Sequence, residues 1–160
     1  MKKIYLSLLF SASFFLLNAQ SQVVVTDADI TNGTHNWTKN NEYLLDGFVY
    51  LESGGVLNIE EGTVIKAKET PSTGDNASAL IITQGAKINA VGTASEPIIF
   101  TTELDDINDN TDLTGEDRGL WGGIIILGYG QLAFQSVTAN VEGIPTTETR
   151  AVYGGSDDTD

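Results

Sequence analysis

The sequence predicts an all-β chain wound as a parallel β-helix, a solenoid of short stacked coils. Three observations lead there. Apolar residues alternate or come in short runs rich in Val, Ile and Thr, with almost no recurrence at helical spacing. Short turn segments, most carrying Gly, punctuate those runs. One strand–turn–strand unit also recurs, with Gly54 and Gly85 as equivalent positions 31 residues apart.

The chain opens on Met1-Lys2-Lys3, then an apolar run of 14 residues from Ile4 to Leu17 broken only by Ser7, Ser11 and Ser13. Ala19 and Ser21 place small residues at −3 and −1 of a cut after Ser21. A basic start, a short apolar run and a small-residue exit make residues 1–21 a secretory signal peptide. A membrane anchor would need roughly 20 apolar residues. With no Cys in the chain, a lipid-anchored form is excluded. Residues 22–42 read as an N-terminal lead-in or cap, and 43–160 as β-helix coils carrying an acidic insertion at 103–117.

Strands are expected at Val23–Thr26, Phe48–Leu51, Val56–Ile59, Thr63–Ala67, Ala79–Thr83, Lys87–Ala90, Ile98–Thr102, Gly123–Leu127 and Gln131–Phe134. Ser53-Gly54-Gly55, Glu60-Glu61-Gly62, Gln84-Gly85, Val91-Gly92 and Gly128-Tyr129-Gly130 supply the bends. In the repeat, Leu51 meets Ile82, Leu57 meets Ile88 and Asn58 meets Asn89. Gly123-Ile124-Ile125-Ile126-Leu127-Gly128 begins a third copy, displaced by longer inserted loops. Each coil leaves its edge amides to pair with the coils above and below, and its inward Leu, Ile, Val and Ala form a narrow core. An antiparallel sandwich would favour two-residue Asn-Gly or Asp-Gly hairpin turns, and none lies between these strand pairs.

Composition removes several function classes. The 160 residues suffice for one modest domain. Without Cys and with one His, thiol chemistry, disulfides and Cys- or His-rich metal sites are excluded. The formal charge of −14 opposes nucleic-acid binding. Loss of Lys2 and Lys3 with the signal leaves six basic residues against 22 acidic ones, a formal charge of −16.

The run from Gly47 to Lys66 resembles the opening coil of large secreted β-helix proteins. So do Ala79–Ile88, Gly92–Thr101 and Arg118–Gly128. Those proteins come from bacteria that export cargo by type IX secretion, and most end in a C-terminal sorting domain. The resemblance spans roughly 36–160 and implies a right-handed parallel β-helix without implying an activity. Ala151 to Asp160 reads as the lead-in to a further coil, so the sequence is expected to be the N-terminal portion of a longer protein.

The densest constellation runs from Glu103 to Asp117, seven acids in 15 residues. Counted from Asp106, the residues Asp106, Asn108, Asn110, Asp112 and Asp117 follow the oxygen rhythm of a calcium loop, making them candidate calcium ligands. Thr111 stands where such a loop needs Gly, and the last ligand is Asp instead of a bidentate Glu. The bland reading is a solvated insertion. Arg118, directly after, pairs with an acid on the structural reading; a role as a base rests only on analogy with β-helix lyases. The adjacent pairs Glu60-Glu61, Asp105-Asp106 and Asp157-Asp158 point apart into water. Trp37, Tyr43, Tyr50, Trp121, Tyr129 and Tyr153 are a sugar-stacking platform only if they align, and Trp37 and Trp121 read as packing. His35 reads as exposed. No cofactor-binding or nucleotide motif is present, and no catalytic residue is assigned.

The sequence supports an exported, non-enzymatic surface or extracellular protein whose coils present loops for adhesion or glycan contact. Its expected partners are an extracellular glycan or a surface, without membrane insertion once the signal is removed. The alternative is the N-terminal part of a polysaccharide-degrading β-helix enzyme, a lyase or glycosidase with its site on later coils. A calcium-stabilised structural module is a third possibility.

Overall fold

The computed structural model describes residues 20–133 and 137–157. Among them the strands in chain order are β1 (Ser21–Val25), β2 (Thr34–Trp37), β3 (Asn41–Leu45), β4 (Phe48–Leu51), β5 (Val56–Ile59) and β6 (Val64–Ala67). They continue with β7 (Ala79–Ile82), β8 (Lys87–Ala90), β9 (Ile99–Thr102), β10 (Ile124–Ile126), β11 (Ala139–Asn140) and β12 (Val152–Tyr153). A 3₁₀ turn, Thr149–Ala151, precedes β12.

Strands β1 to β10 pair in parallel and form three walls. The first wall is β1-β3-β6-β9, the second β4-β7-β10 and the third β2-β5-β8. Successive strands in each wall come from successive coils, so the chain climbs about 4.8 Å per turn. This is the parallel β-helix that the repeat predicts. The registers Leu51↔Ile82, Leu57↔Ile88 and Asn58↔Asn89 are those of the sequence alignment. Ile124–Ile126 lies on Leu80–Ile82 as the third copy.

Side chains alternate in and out along each strand. Val25, Leu45, Val49, Leu51, Leu57, Ile59, Ile65, Leu80 and Ile82 point inward and fill the core. Leu45, Leu51, Leu57 and Leu80 are fully buried, and each contributes about 1.5–3 kcal/mol by leaving water. Trp37 stacks on Tyr43 at a centroid distance of 4.7 Å. On the outer surface of the third wall the amides form a ladder: Asn58 donates to Asn36 at 3.0 Å and Asn89 to Asn58 at 2.8 Å.

The corner between Gly54 and Gly85 shows why Gly is needed. Both have positive φ, +83° and +79°, a conformation costly for other residues. The Gly54 amide donates to the Gly85 carbonyl at 3.0 Å, stacking one bend on the next.

Insertions concentrate between the first and second walls. The link is two residues long between β3 and β4, but residues 68–78 join β6 to β7 and 103–123 join β9 to β10. The 68–78 loop is fastened by Asp46, which is 3% exposed. Asp46 accepts from Lys68 Nζ at 2.6 Å and from the Ser72 amide and hydroxyl at 2.6 and 2.5 Å. Burial alone would push its carboxyl up; the Lys68 and Ser72 hydrogen bonds outweigh it and hold it below the usual range.

The second wall is apolar on its outside too. Tyr50, Ala79, Ile81 and Leu127 form a second cluster with Ile144 and Ala151. Residues 137–157 lie over that face as a strap, and this explains why all four residues of β7 are buried. Val141 donates to Ala151 and Gly154 to Gly128, at 3.0 and 2.9 Å.

Some expectations fail. Gln131–Ala133 is not a strand, and Phe134 lies outside the described residues. After Leu127 the chain leaves the coil, because the Gly128 and Tyr129 carbonyls accept from the strap residues Gly154 and Asp157. His35 is half-buried instead of exposed. Its register with Leu57 turns it inward over the core, since strand alternation fixes it opposite to Asn36. Apart from those differences, residues 22–42, the expected lead-in or cap, carry most of β1 and all of β2, which pair in parallel with the next coil. Of residues 1–21, expected from the sequence to be a signal segment, only Gln20 and Ser21 are described, and Ser21 opens β1.

Candidate functional site

The site grows from an incomplete wall. The first coil contributes no strand to the second wall, so the outer edge of β4 lacks a ladder partner. Unpaired edge amides are costly to leave unsatisfied, and side chains take them up. The Phe48 amide donates to Asp75 at 3.0 Å and the Tyr50 amide to Asp27 at 3.1 Å, while the Glu52 amide finds a backbone acceptor in the Thr31 carbonyl at 3.3 Å. Asp27 is thereby fixed beside the outer face of β4.

Arg150, at the 3₁₀ turn of the strap, meets it there. Its Nη1 and Nη2 engage the two Asp27 oxygens at 3.2 and 2.9 Å. Nη1 also reaches Glu52 at 3.2 Å. Nε and Nη2 take the two Glu148 oxygens at 2.9 and 2.8 Å. All five N–H groups of the guanidinium thus have a carboxylate acceptor. Its carbon lies 4.1 Å from the centre of the Tyr50 ring, a cation–π contact. The strap is joined to two coils at one point.

The electrostatics follow. The Glu148 hydrogen bond, opposed by burial and reinforced by Asp27, raises the Arg150 pKa well above its ordinary value. The Arg150 hydrogen bond holds the Glu148 carboxyl low against its burial. Tyr50 is pushed up to about 12, chiefly by burial and then by Glu148, with Arg150 working in the other direction.

A shallow cleft opens on either side of Arg150. One, of about 430 Å³, is lined by Glu52, Ser53, Gln84, Tyr129 and Thr149 with Arg150. The other, of about 300 Å³, is lined by Asp27, Thr73, Asp75 and Glu148 with Arg150. Gln84 bridges the Gly128 and Gly154 carbonyls at 2.8 Å each, fixing the wall of the first cleft. Tyr129 is 40% exposed there.

The sequence model of the pectate-lyase-like beta helix domain family matches residues 28–160, most of the chain. The chain belongs to that family. No curated protein and no solved structure matches it. In this pectate-lyase-like domain the match takes in β2 to β12 and, of the node, Glu52, Glu148 and Arg150, while β1 and Asp27 lie just before it.

The calcium candidates of the domain lie apart from this node. Asp106, Asn108, Asn110, Asp112 and Asp117 are all on the exposed 103–117 loop. Asp106 accepts from the Asn108 amide and side chain, Asp112 from the Asp106 amide, and Asp117 from the Thr114 amide and hydroxyl. Hydrogen bonds to their own loop hold Asp109 and Asp117 low. Among the described residues no three acidic or His side chains are grouped to hold a metal ion. Arg118 donates through Nε to the Gly115 carbonyl at 3.0 Å. Glu60 accepts from the Lys39 amide, and Asp105 from the Thr101 hydroxyl.

The aromatic residues of the domain do not align. Trp37 and Tyr43 belong to the core, Tyr50 and Tyr153 to the cluster under the strap, and Trp121 packs against the core. Tyr129 alone of the six lines the larger cleft. The node itself escapes sequence reasoning because Arg150 lies 123 residues from Asp27 and 98 from Glu52. Its one local signal is the Glu148-x-Arg150 pair, a common surface pattern.

Proposed function

We propose that this chain is a non-enzymatic extracellular β-helix protein that contacts glycan through the clefts beside Arg150. The saturation of Arg150 carries the reading. Elimination on an acidic polysaccharide needs a base able to give up and take a proton, and five carboxylate contacts keep this guanidinium protonated. Hydrolysis needs one carboxylic acid with a raised pKa, and Glu148 is moved the opposite way. What the larger cleft offers is a phenol face and uncharged hydrogen-bonding groups, the Ser53 and Thr149 hydroxyls and the Gln84 amide oxygen, a set suited to sugar hydroxyls. Membership of the pectate-lyase-like family supports contact with polysaccharide. The signal pattern of residues 1–21 supports export, and the resemblance to type IX cargo supports display at the surface.

The test incubates the full chain with a panel of plant and bacterial polysaccharides. Binding without new reducing ends or the ultraviolet absorbance of unsaturated products is expected. Product formation that disappears in Arg150→Lys would overturn the non-enzymatic reading.

A further inference from the structure

We infer that the clefts select an uncharged glycan and repel uronate chains, an inference that rests on the glycan-contact reading above. Four carboxylates, Asp27, Glu52, Asp75 and Glu148, line the paired clefts against the single cation Arg150, a formal charge of −3. No other Lys or Arg lines either cleft among the described residues. Arg150 has no N–H left for an incoming carboxylate, because Asp27, Glu52 and Glu148 take all five. An anionic sugar would have to displace one of these partners and leave a carboxylate unpaired beside it.

Uncharged sugars meet no such obstacle. Their hydroxyls donate to the carboxylates and exchange hydrogen bonds with Ser53 and Thr149. Tyr129 offers an apolar surface beside them. Discrimination therefore comes from repulsion of the wrong ligand as much as from contacts to the right one. The chain as a whole, at −14, adds a field of the same sign.

The experiment is calorimetric titration of the full chain with neutral gluco-, manno- and xylo-oligosaccharides and with oligogalacturonate, at low and at physiological salt. At least one neutral series is expected to bind tenfold or more tighter than oligogalacturonate. Salt should leave the neutral affinity unchanged and strengthen the oligogalacturonate affinity, because screening weakens repulsion. This sign is opposite to that of a uronate-binding site. In the double variant Glu52→Gln, Asp75→Asn the cleft falls to a formal −1 and oligogalacturonate should gain severalfold. If the variant does not fold, the two-salt comparison on the natural chain decides alone. Oligogalacturonate bound as tightly as the neutral sugars, or more weakly with added salt, overturns this inference and leaves glycan contact standing. An unchanged preference in a folded double variant overturns its electrostatic cause. No binding of any sugar overturns both readings.

Discussion

Replacing Arg150 by Met keeps the length of the side chain and removes every N–H of the node. Asp27, Glu52 and Glu148 have side chains 41, 38 and 25% exposed, so water screens each pair. Each is then worth about 0.5–1 kcal/mol, and the Tyr50 contact adds about 0.5–1 kcal/mol. The sum, about 2–4 kcal/mol, falls on the strap, because the coils keep their own ladder and core. Local opening of the strap should therefore become roughly 30- to 700-fold more frequent. Hydrogen exchange reads it at the Val141 and Gly154 amides, which bond within the strap and across to Gly128. The Ala79 and Lys87 amides, bonded to Gly47 and Gly55 of the coil below, serve as controls. Arg150→Lys keeps the charge without the fork, so its effect should be intermediate. Unchanged strap exchange in Arg150→Met, or equal acceleration in the coils, would refute the idea that this residue fastens the strap independently of the core.

Other predictions are simpler. Gly85→Ala should cost more than Gly54→Ala. Both pay about 1–2 kcal/mol for a side chain at positive φ, but a Cβ at Gly85 also lies 2.6 Å from Ser53 Oγ, whereas Gly54 has open space; paired melting temperatures check this. Stability should fall in acid: Asp46 and Glu148 have lowered pKa values, so their contribution is complete above the ordinary carboxylate value of about 4 and is lost as the pH drops through their folded values. Asp46→Asn should flatten that acid slope in denaturation curves measured from neutral pH downward. Asp106, Asp112 and Asp117 already accept hydrogen bonds within their loop, with which calcium would compete. Calorimetry should show the melting temperature moving by less than about 1 °C with millimolar calcium, and a rise of several degrees that Asp112→Asn abolishes would place the ion on that loop.

The coils were legible because stacking imposes the same choice on each turn. Leu57 and Ile88, or Asn58 and Asn89, occupy equivalent environments, so a repeat in the sequence becomes a register in space. Boundaries of the apolar strands fall within a residue or two of expectation. The strands β2 and β3 were missed because His35, Asn36, Asn41 and Glu42 give them a polar look; only their pairing with β5 and β6 makes them strands. The apolar run Leu80-Ile81-Ile82 hinted at burial on both faces, but the segment that covers it lies some 60–70 residues further on. The Arg150 node depends on contacts of still longer range, with no spacing rule to announce it. In the acidic loop the ligand-like rhythm coincides with local turns: Asp106, Asp109 and Asp117 each accept from a backbone amide two or three residues away.

The corner that holds residues 68–78 and 103–123 has a practical consequence. The two loops lie on successive turns and touch, the Glu69 amide donating to Glu103 at 2.9 Å, while β6, β7, β9 and β10 stay in register around them. Lengthening such a loop adds only about 0.6 kcal/mol of closure entropy per doubling. That corner is thus a ready position for grafting: foreign peptides could be displayed there one above another, at the spacing of the turns, without altering a core residue.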